Sequence, residues 1–380
     1  MAIRKRVWWN ASGEQTAWVV DYKDQHGKRR LKTFKRKKEA DAWWSGQAGY
    51  EVAQGIHTAA SASPTVAEAA DLWLDNSLAE GLERSTIDQR RRHIDLHINP
   101  LIGSVKLADL SAPRVNAFVD QLRDAGRSLA MRRKVLSTLK TLVTFAQGRG
   151  LVAQNAARSV RIKTSARDEG REMRPGTQMP TKAELRAMID NAPPRWRAFI
   201  VTAIFTGMRA SELRGLRWED VDLDAGVLTV RQRADPWGDM GAPKSKAGRR
   251  DIPLAPMAIN ALREWRLACP KAKGGALDLA FPNGSGRVES HANIRNRVFG
   301  PLQVACGITG PDGKPKYGLH ALRHAAASLF IEQGWTPKKV QTVIGHASIQ
   351  MTFDLYGKLF VDTESDRKAM ERLEAALLVG

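Results

Sequence analysis

The sequence contains few cysteines and no long apolar run. Cys269 and Cys306 are the only cysteines among 380 residues, and neither lies at a spacing typical of a metal site. Their scarcity excludes a disulfide framework and fits a reducing compartment, so we expect a cytoplasmic protein. No stretch approaches the roughly 20 apolar residues of a membrane span. The opening MAIRKRVWWN has basic residues but no apolar run after them, which does not fit a secretory signal.

Acidic side chains are the minority among the charged residues. Lys and Arg number 60 against 40 Asp and Glu, which gives a formal net charge of +20 and a pI near 10.2. The excess is spread along the chain: residues 1–60 carry 12 basic and 6 acidic side chains, 61–165 carry 16 and 10, and 181–380 carry 29 and 21. Such a surface favours a polyanion. A membrane-surface protein would concentrate its charge in one helix or patch, so we expect nucleic acid as the partner and no membrane.

The first module, residues 1–57, is predicted to be a small sheet followed by one helix. VWWN, TAWVVDYKD and KRRLKTF are typical of short strands, and KRKKEADAWWSGQAGYEVAQG is typical of a helix. Basic residues on the last strand and its exit predict contact with DNA phosphates, the alternative being a solvated basic face. They are Arg29, Arg30, Lys32, Lys35 and Arg36.

The second module, residues 65–165, follows a linker of small residues at 58–64 and is predicted to be entirely helical. Thr65 and Glu68 form a capping box at its start. The first helix is expected to pack through Leu72, Trp73 and Leu78. Further helical patterns lie near 84–97, 111–125 and 128–148.

Two of these helices carry a run of three basic residues. A single run is usually a solvated surface, but two runs in one small helical module favour a DNA-binding face. The residues concerned are Arg90, Arg91, Arg92, Arg132, Arg133 and Lys134.

The third module, residues 181–360, follows a polar linker at 166–180 and mixes helices with a strand-rich patch. The chain is therefore expected to be mainly α with small β-sheets. A tail at 361–380 has an amphipathic stripe that either folds back on its own module or docks on another protomer. The stripe consists of Met370, Leu373, Ala376 and Leu377.

Two blocks of the third module carry cations at positions suited to binding a phosphate. TGMRASEL places Arg209 at a predicted helix start, with Glu212 three residues on and on the same face. Taken alone, this is best explained as an ordinary ion pair within a helix. PKSKAGRRDIPL is predicted to form a hairpin with Lys246 at its tip, where a solvated loop lysine is the simpler explanation.

Two further blocks carry histidines. In GLHALRH, His320, Arg323 and His324 share a helical face, which also suits a metal site. The chain has no H-E-x-x-H motif and no clustered cysteines, so we expect no metal and interpret His324 as a packed or partner-bonded core histidine. IGHASIQMTFDLYG places His346 ten residues before Tyr356.

Together these residue types fit phosphodiester chemistry. Two arginines can bind the non-bridging oxygens of one phosphate and stabilise a five-coordinate phosphorus. A histidine can accept a proton from a nucleophile, and a lysine can protonate a leaving alkoxide. A tyrosine hydroxyl is a weak nucleophile until such neighbours activate it.

The chain resembles the tyrosine recombinases, or phage-type integrases. The matching blocks are R-A-S-E-L at 209–213, Lys246 with the R-D-I-P-L strand, H-A-L-R-H at 320–324 and G-H-A-S-I-Q-M-T-F-D-L-Y at 345–356. The resemblance is specific over 181–360. It extends to a helical SAM-like core-binding domain at 65–165 and to an arm-type DNA-binding domain at 1–57, of the kind found in mobile-element integrases.

The resemblance implies a role for each matching residue. Tyr356 would attack the scissile phosphate and form a 3′-phosphotyrosyl bond. Arg209 and Arg323 would hold the phosphate, and Lys246 would protonate the leaving 5′ oxygen. His320 would accept the proton of Tyr356, His346 would support the phosphate, and Glu212 would orient Arg209 or His320. No metal and no ATP are needed, and the sequence has no G-x-x-x-x-G-K-[ST] run.

The resemblance also implies the partners. They are double-stranded DNA attachment sites in the bacterial nucleoid, three further copies of the chain in a tetramer on DNA, and in some reactions an excisionase and a host DNA-bending protein. The expected function is integration, and in some cases excision, of a mobile element such as a prophage. The alternatives are a chromosome-dimer resolvase of the same family, a type IB topoisomerase and a non-catalytic DNA-binding protein.

Overall fold

The computed structural model describes residues 2–24, 26–54, 56–163, 175–243, 245–270, 277–360 and 363–378. They form two compact units, Met1–Ala166 and Arg167–Gly380, each described here by itself. Helices dominate both units, and the strands form small antiparallel sheets, which confirms the predicted fold class. Among the described residues, no helix is both long and apolar enough to span a bilayer.

The first unit begins with an antiparallel sheet in the order β1-β2-β3, as predicted. Val20 and Tyr22 of its central strand pack with Ala40 and Trp43 of the following helix. The predicted single helix is interrupted: Gly46 has a non-helical backbone (φ −81°, ψ −153°) within a wide segment, Trp44–Ala48. The elements are β1 (Ala2–Asn10), β2 (Gly13–Lys23), β3 (Arg29–Phe34), α1 (Lys37–Trp43) and α2 (Gly49–Ala53).

The rest of this unit is helical, as predicted. Thr65 and Glu68 form the expected capping box. The predicted apolar face of the first helix was wrong in part, because Leu72 and Leu78 are 49% and 56% exposed. The helix instead buries a stripe at helical spacing in which alanines allow close approach, consisting of Val66, Ala69, Ala70, Trp73, Leu74 and Ser77. The helices are α3 (Val66–Ala79), α4 (Arg84–His93), α5 (Asn99–Ile102), α6 (Ala112–Asp124) and α7 (Leu129–Gly148), with a wide turn at Ile94–Ile98.

The small-residue segment at 58–64 is packed rather than free in solution. The Thr58 hydroxyl donates to the Gly150 carbonyl at 3.2 Å, and the Ser63 hydroxyl donates to the Leu151 carbonyl at 3.3 Å. The Ser63 side chain also accepts from the Ala108 amide at 3.0 Å. Small side chains allow this close approach, so the segment that links the sheet to the helices is held along its length. Of the second predicted linker, 166–180, residues 166–174 lie outside the described residues.

The second unit is built around α9, which is buried on nearly all sides and contacts α11 and α14. Two small sheets lie beside it, in the orders β4-β5-β8 and β6-β7. Its first elements are α8 (Lys182–Asp190), α9 (Pro194–Thr206), α10 (Ala210–Arg214), β4 (Val221–Asp222), β5 (Val227–Val230), β6 (Arg233–Ala234), β7 (Met240–Gly241), β8 (Arg250–Pro253) and α11 (Pro256–Ala268). These are followed by α12 (His291–Asn293), a wide turn at Ile294–Phe299, α13 (Gly300–Ala305), α14 (His320–Glu332), α15 (Pro337–Ile344), α16 (Ile349–Tyr356) and α17 (Thr363–Leu378).

Lys246 lies in a different local structure from the one predicted. It begins a single 3₁₀ turn, Lys246–Gly248, that leads directly into β8. β8 pairs with β5, whereas the hairpin of this region joins β6 to β7. The expectation of a hairpin tip at Lys246 was therefore wrong, because the strand that pairs with β8 lies twenty residues earlier and not across the turn.

Candidate active site

Tyr356 is the last residue of α16 and is almost fully buried, at 1% exposure. Its ring packs with Ala326 and Ile331 of α14 and with Ile344 of α15. Its hydroxyl oxygen lies 2.6 Å from Nδ1 of His324. Burial raises the pKa of Tyr356 well above its usual value, and the positive charge of Arg323 opposes this only in part. The hydroxyl is therefore protonated at neutral pH and in contact with one imidazole.

The three predicted residues of α14 do share one face, and two of them are histidines in contact. The rings of His320 and His324 meet edge to face, with centroids 4.8 Å apart. Burial, His320 and Arg323 together lower the pKa of His324 to about 4, so its ring is neutral at pH 7 and can accept a proton. The side chain of His320 is exposed at its edge. The part of the ring that the protein covers, together with Arg323 and Arg209, lowers the pKa of His320. The imidazole that meets the tyrosine is thus that of His324, where we expected His320.

Arg323 is buried, at 2% exposure, yet only part of its guanidinium is paired. Nη1 donates to the Gly207 carbonyl at 2.9 Å, while Nη2 is buried with no hydrogen-bond partner among the described residues. Burial and the nearby Arg209 lower the pKa of Arg323 to about 9. A buried donor without a partner is costly, so this guanidinium is arranged to receive an anion.

Arg209 lies beside Arg323 and is held by its own helix start. Its Nη1 donates to Glu212 Oε1 at 2.7 Å, and its backbone amide donates to Glu212 Oε2 at 3.0 Å. Nη2 donates to the Gly345 carbonyl at 2.9 Å. Its side chain is 34% exposed. The predicted Arg209–Glu212 pair is therefore present, and the structure brings both arginines to the same place.

Glu212 has a second partner that the sequence analysis did not single out. Arg250 Nη2 donates to Glu212 Oε2 at 2.9 Å, and both side chains are 2% exposed. Burial acts to raise the pKa of Glu212, but Arg250 and Arg209 outweigh it and hold the pKa below its usual value. Glu212 is therefore an anion shared by two arginines. The partner could have been found only from tertiary structure, since Arg250 is 38 residues away.

His346 stands over the ring of Tyr356. The two rings are stacked, with centroids 6.2 Å apart and planes 7° apart. His346 Nδ1 lies 2.9 Å from the Thr352 hydroxyl, and Thr352 is fully buried one turn before the tyrosine. Burial, Arg323 and Arg209 lower the pKa of His346 to about 4. Because Thr352 occupies Nδ1, the Nε2 atom of the neutral His346 ring is the one that can bind a ligand. The sequence did not predict the contact with Thr352.

Lys246 is exposed, at the edge of this group of residues. Its turn is close to the loop of His346, because a Cβ on Gly345 would lie 3.0 Å from the Ala247 carbonyl oxygen. Gly345 has a positive φ of 75°, a backbone conformation that glycine adopts readily because it has no side chain. The structure thus places the lysine on a short turn with an exposed side chain.

The basic residues predicted on β3 are largely engaged within the protein. Arg29 Nε donates to Asp21 at 2.9 Å, and Arg30 Nε donates to Asp24 at 2.8 Å. The Lys32 ammonium lies 4.7 Å above the Trp43 ring, and burial lowers its pKa. Lys35 and Arg36 are exposed.

The basic runs of the helical module likewise contain some residues that are engaged within the protein and others that are exposed. The Arg90 guanidinium stacks 4.2 Å from the Trp73 ring and donates to the Ser77 hydroxyl at 2.6 Å. Arg132 is partly buried. The remaining four are exposed, although Arg92 also pairs with Asp88; they are Arg91, Arg92, Arg133 and Lys134.

A helical module after a small sheet, a mixed α+β unit and a buried tyrosine among arginines and histidines are the features of a tyrosine recombinase. The model of the Phage integrase family matches residues 179–361, and the model "Phage integrase, N-terminal SAM-like domain" matches residues 65–123. The chain belongs to the phage integrase family and is a site-specific recombinase. This confirms the family predicted from the sequence.

Individual relatives agree with this assignment. Tyrosine recombinase XerC of Xylella fastidiosa is 29% identical over 282 residues, covering 72% of this chain and 85% of that protein. A putative prophage phiRv2 integrase of Mycobacterium tuberculosis is 26% identical over 351 residues, covering 87% and 86%. Among solved structures, the Tn1549 transposon integrase (residues 82–397) in complex with a circular intermediate DNA superposes with a TM-score of 0.66 at 21% identity, covering 82% of this chain and all of that one.

Proposed function

We propose that the protein integrates and excises a mobile element by cutting and rejoining DNA through a 3′-phosphotyrosyl bond. The observation that carries this proposal is the contact between the Tyr356 hydroxyl and the neutral His324 ring, next to the partly unpaired guanidinium of Arg323. A nucleophile, a proton acceptor and an anion site are thus together in one place.

In the cleavage step, Tyr356 Oη attacks the scissile phosphorus and its proton passes to Nδ1 of His324. The bond between Oη and phosphorus forms as the bond between phosphorus and O5′ breaks. Lys246 donates a proton to O5′, which leaves as a hydroxyl. Rejoining is the reverse with a new 5′-hydroxyl, and because the phosphotyrosine conserves the bond energy, no ATP is consumed.

The cations around Tyr356 would stabilise the extra charge of the five-coordinate phosphorus. Arg323 offers its unpaired Nη2, and Arg209, held by Glu212, offers the part of its guanidinium that is open to solvent. His346 would donate from Nε2 to a phosphate oxygen while Thr352 holds Nδ1. His320, open to solvent beside Arg323, would then face the phosphate rather than take the first proton.

Residues 1–57 are proposed as an arm-type DNA-binding domain. Trp18, Val20 and Tyr22 of β2 pack toward the helix, so alternate residues of the sheet point to its other face. Arg4 and Arg6 pair with Val19 and Ala17 and therefore lie on that other face. Both are exposed. Arg4 Nη2 lies 3.8 Å from Asp21, a looser contact than the hydrogen bonds that engage Arg29 and Arg30 with Asp21 and Asp24, so Arg4 and Arg6 are better placed to meet DNA.

This module also bears on the alternative of a chromosome-dimer resolvase. The alignment with the prophage integrase covers 87% of the chain, compared with 72% for XerC. A XerC-like tyrosine recombinase of Caldanaerobacter subterraneus also covers 88% of the chain, so coverage does not separate the two alternatives, and the mobile-element integrase is proposed from the arm-type module. The reaction would take place on chromosomal DNA in the bacterial cytoplasm.

Assembly on DNA as a tetramer is proposed from the tail. Met370, Leu373 and Leu377 of α17 are 64%, 51% and 73% exposed. Because these apolar side chains are exposed in a single chain, we expect them to be buried against a neighbouring copy. Requirement for an excisionase or a host DNA-bending protein remains a prediction.

Covalent capture of DNA tests the proposed chemistry. A library of nicked duplexes with randomised arms is incubated with the protein in EDTA, and DNA that becomes covalently bound is recovered and sequenced. We expect capture by the wild type, none by Tyr356→Phe, and retained binding of the selected duplex by that variant. Tyr317→Phe is the matched control, since Tyr317 is also buried but donates to Glu184 at 3.0 Å, away from the site. Adducts that persist in Tyr356→Phe, or none with wild type, would overturn the proposal.

A further inference from the structure

We propose that Arg250 is a positioning residue that fixes the Lys246 turn against the phosphate-binding groups, an inference that rests on the proposed function. Its guanidinium is buried and makes three hydrogen bonds to three separate segments. Nη2 donates to Glu212 at 2.9 Å, Nη1 donates to the Gly248 carbonyl at 2.9 Å, and Nε donates to the Val343 carbonyl at 2.6 Å.

Each of the three segments carries a residue of the site. Glu212 holds Arg209 through two hydrogen bonds. Gly248 ends the turn that Lys246 begins. Val343 lies near the end of α15, immediately before the loop of His346. One rigid, planar cation therefore sets the distance between the lysine turn and the rest of the site.

Close packing around this guanidinium makes the arrangement specific. A Cβ on Gly345 would lie 2.9 Å from Arg250 Nη1 and 3.0 Å from the Ala247 carbonyl oxygen. A Cβ on Gly248 would lie 2.4 Å from the Pro243 side chain. The backbone of the turn is thus packed on both sides, while the Lys246 side chain itself is exposed.

Removing the guanidinium of Arg250 should change the position of Lys246 more than that of Arg209. Without Arg250, Arg209 keeps its two bonds to Glu212 and its bond to the Gly345 carbonyl. The Gly248 carbonyl, in contrast, loses the side-chain donor that ties the turn to the site. A merely structural ion pair would give no such preference.

A change of leaving group separates these two possibilities. A duplex captured by the wild type is prepared with its normal scissile phosphate and with sulfur in place of the bridging 5′ oxygen. A thiol has a pKa of about 8.5 and leaves as a thiolate without a proton donor. We expect Arg250→Met to slow single-turnover cleavage of the normal duplex at least about tenfold, within the range for loss of general acid catalysis. On the sulfur duplex the loss should shrink to about threefold or less, which is our estimate for what remains once proton donation is bypassed.

Three variants complete the experiment. Lys246→Ala should show the same rescue by sulfur. Arg249→Met, which removes an equal charge from the exposed neighbouring position, should lose DNA affinity without any difference between the two duplexes. If Arg250→Met does not fold by thermal melting, Arg250→Lys replaces it, since it keeps the charge beside Glu212 but cannot reach all three acceptors.

Equal losses on the two duplexes for a folded Arg250 variant, or no loss on the normal duplex, would overturn the proposal. So would a Lys246→Ala variant that sulfur does not rescue. Failure of the wild type to capture any duplex in the first place would instead reject the proposed function.

Discussion

The hydroxyl of Tyr356 lies 2.6 Å from Nδ1 of His324, the second histidine of the H-A-L-R-H block, whereas the ring of His320 meets that of His324 edge to face. The distance joins the buried hydroxyl that we propose as the nucleophile to a neutral imidazole. The two histidines therefore have separable roles, although they lie four residues apart on the same helix.

His324→Asn should slow formation of the phosphotyrosyl adduct by about 10²-fold or more, because an amide can bond the hydroxyl but cannot take its proton. His320→Asn should slow adduct formation clearly less, since the hydrogen bond to Oη of Tyr356 comes from His324. Single-turnover rates on a captured nicked duplex measure both. His291→Asn serves as control for loss of a histidine with a lowered pKa elsewhere in the unit. A larger defect in His320→Asn than in His324→Asn would contradict this assignment.

Thr352→Val should impair cleavage about tenfold or more while leaving DNA binding intact. Valine fills the same space but leaves Nδ1 of the buried His346 without its partner. Thr352→Ser retains the hydroxyl and should recover most of the rate, which a purely steric role would not produce. Thr342→Val, which removes a hydroxyl bonded within its own helix, is the matched control. The comparison requires rates and affinities for all three variants, and equal rates for Thr352→Val and wild type would refute the role.

Stability should fall as the pH is lowered from about 6.5 toward 4. An unfolded histidine has a pKa of about 6.5, while burial lowers the pKa of both His324 and His346 to about 4. Between these values the unfolded chain binds protons that the folded chain does not, so the stabilisation is complete above pH 6.5 and is lost through pH 4. Each histidine contributes up to about 1.4 kcal/mol per pH unit.

Urea unfolding at pH 7 and pH 5 measures this dependence. The His324→Asn/His346→Asn variant should lose less stability between the two pH values than the wild type. His26→Asn, which changes an exposed histidine of the first unit, should keep the full dependence. An unchanged slope in the double variant would show that these two rings do not titrate as described.

Arg4→Ala/Arg6→Ala should weaken integration more than cleavage of a core duplex, because these exposed side chains lie on the face of the sheet away from the helix. Arg29→Ala/Arg30→Ala removes the same charge from residues that are paired with Asp21 and Asp24. It should have the smaller effect on integration. Point changes suit this module better than its deletion, since residues 58–64 are packed on the helices. Equal loss of core cleavage and integration in Arg4→Ala/Arg6→Ala would argue against an arm-type domain.

Local sequence rules predicted the elements and part of the site. The period of apolar residues located the helices of both units, and the spacing of Thr65 to Glu68 predicted a capping box that is present. The same i,i+3 rule placed Glu212 against Arg209 and put His320, Arg323 and His324 on one face. The buried face of α3 differs from the predicted one, because small residues at helical spacing share it with Trp73 and Leu74 while the bulky Leu72 and Leu78 face solvent.

The sequence by itself thus determined the family, together with the types and order of the residues proposed as catalytic, because these are encoded in short blocks with local geometry. Only the tertiary structure decided which histidine meets Tyr356, since that depends on how α14 packs against α16 across 32 residues. It also revealed that Arg250 contacts segments that lie as far as 93 residues from it along the chain. Contacts of this kind arise from packing between elements, and no spacing within a block specifies them.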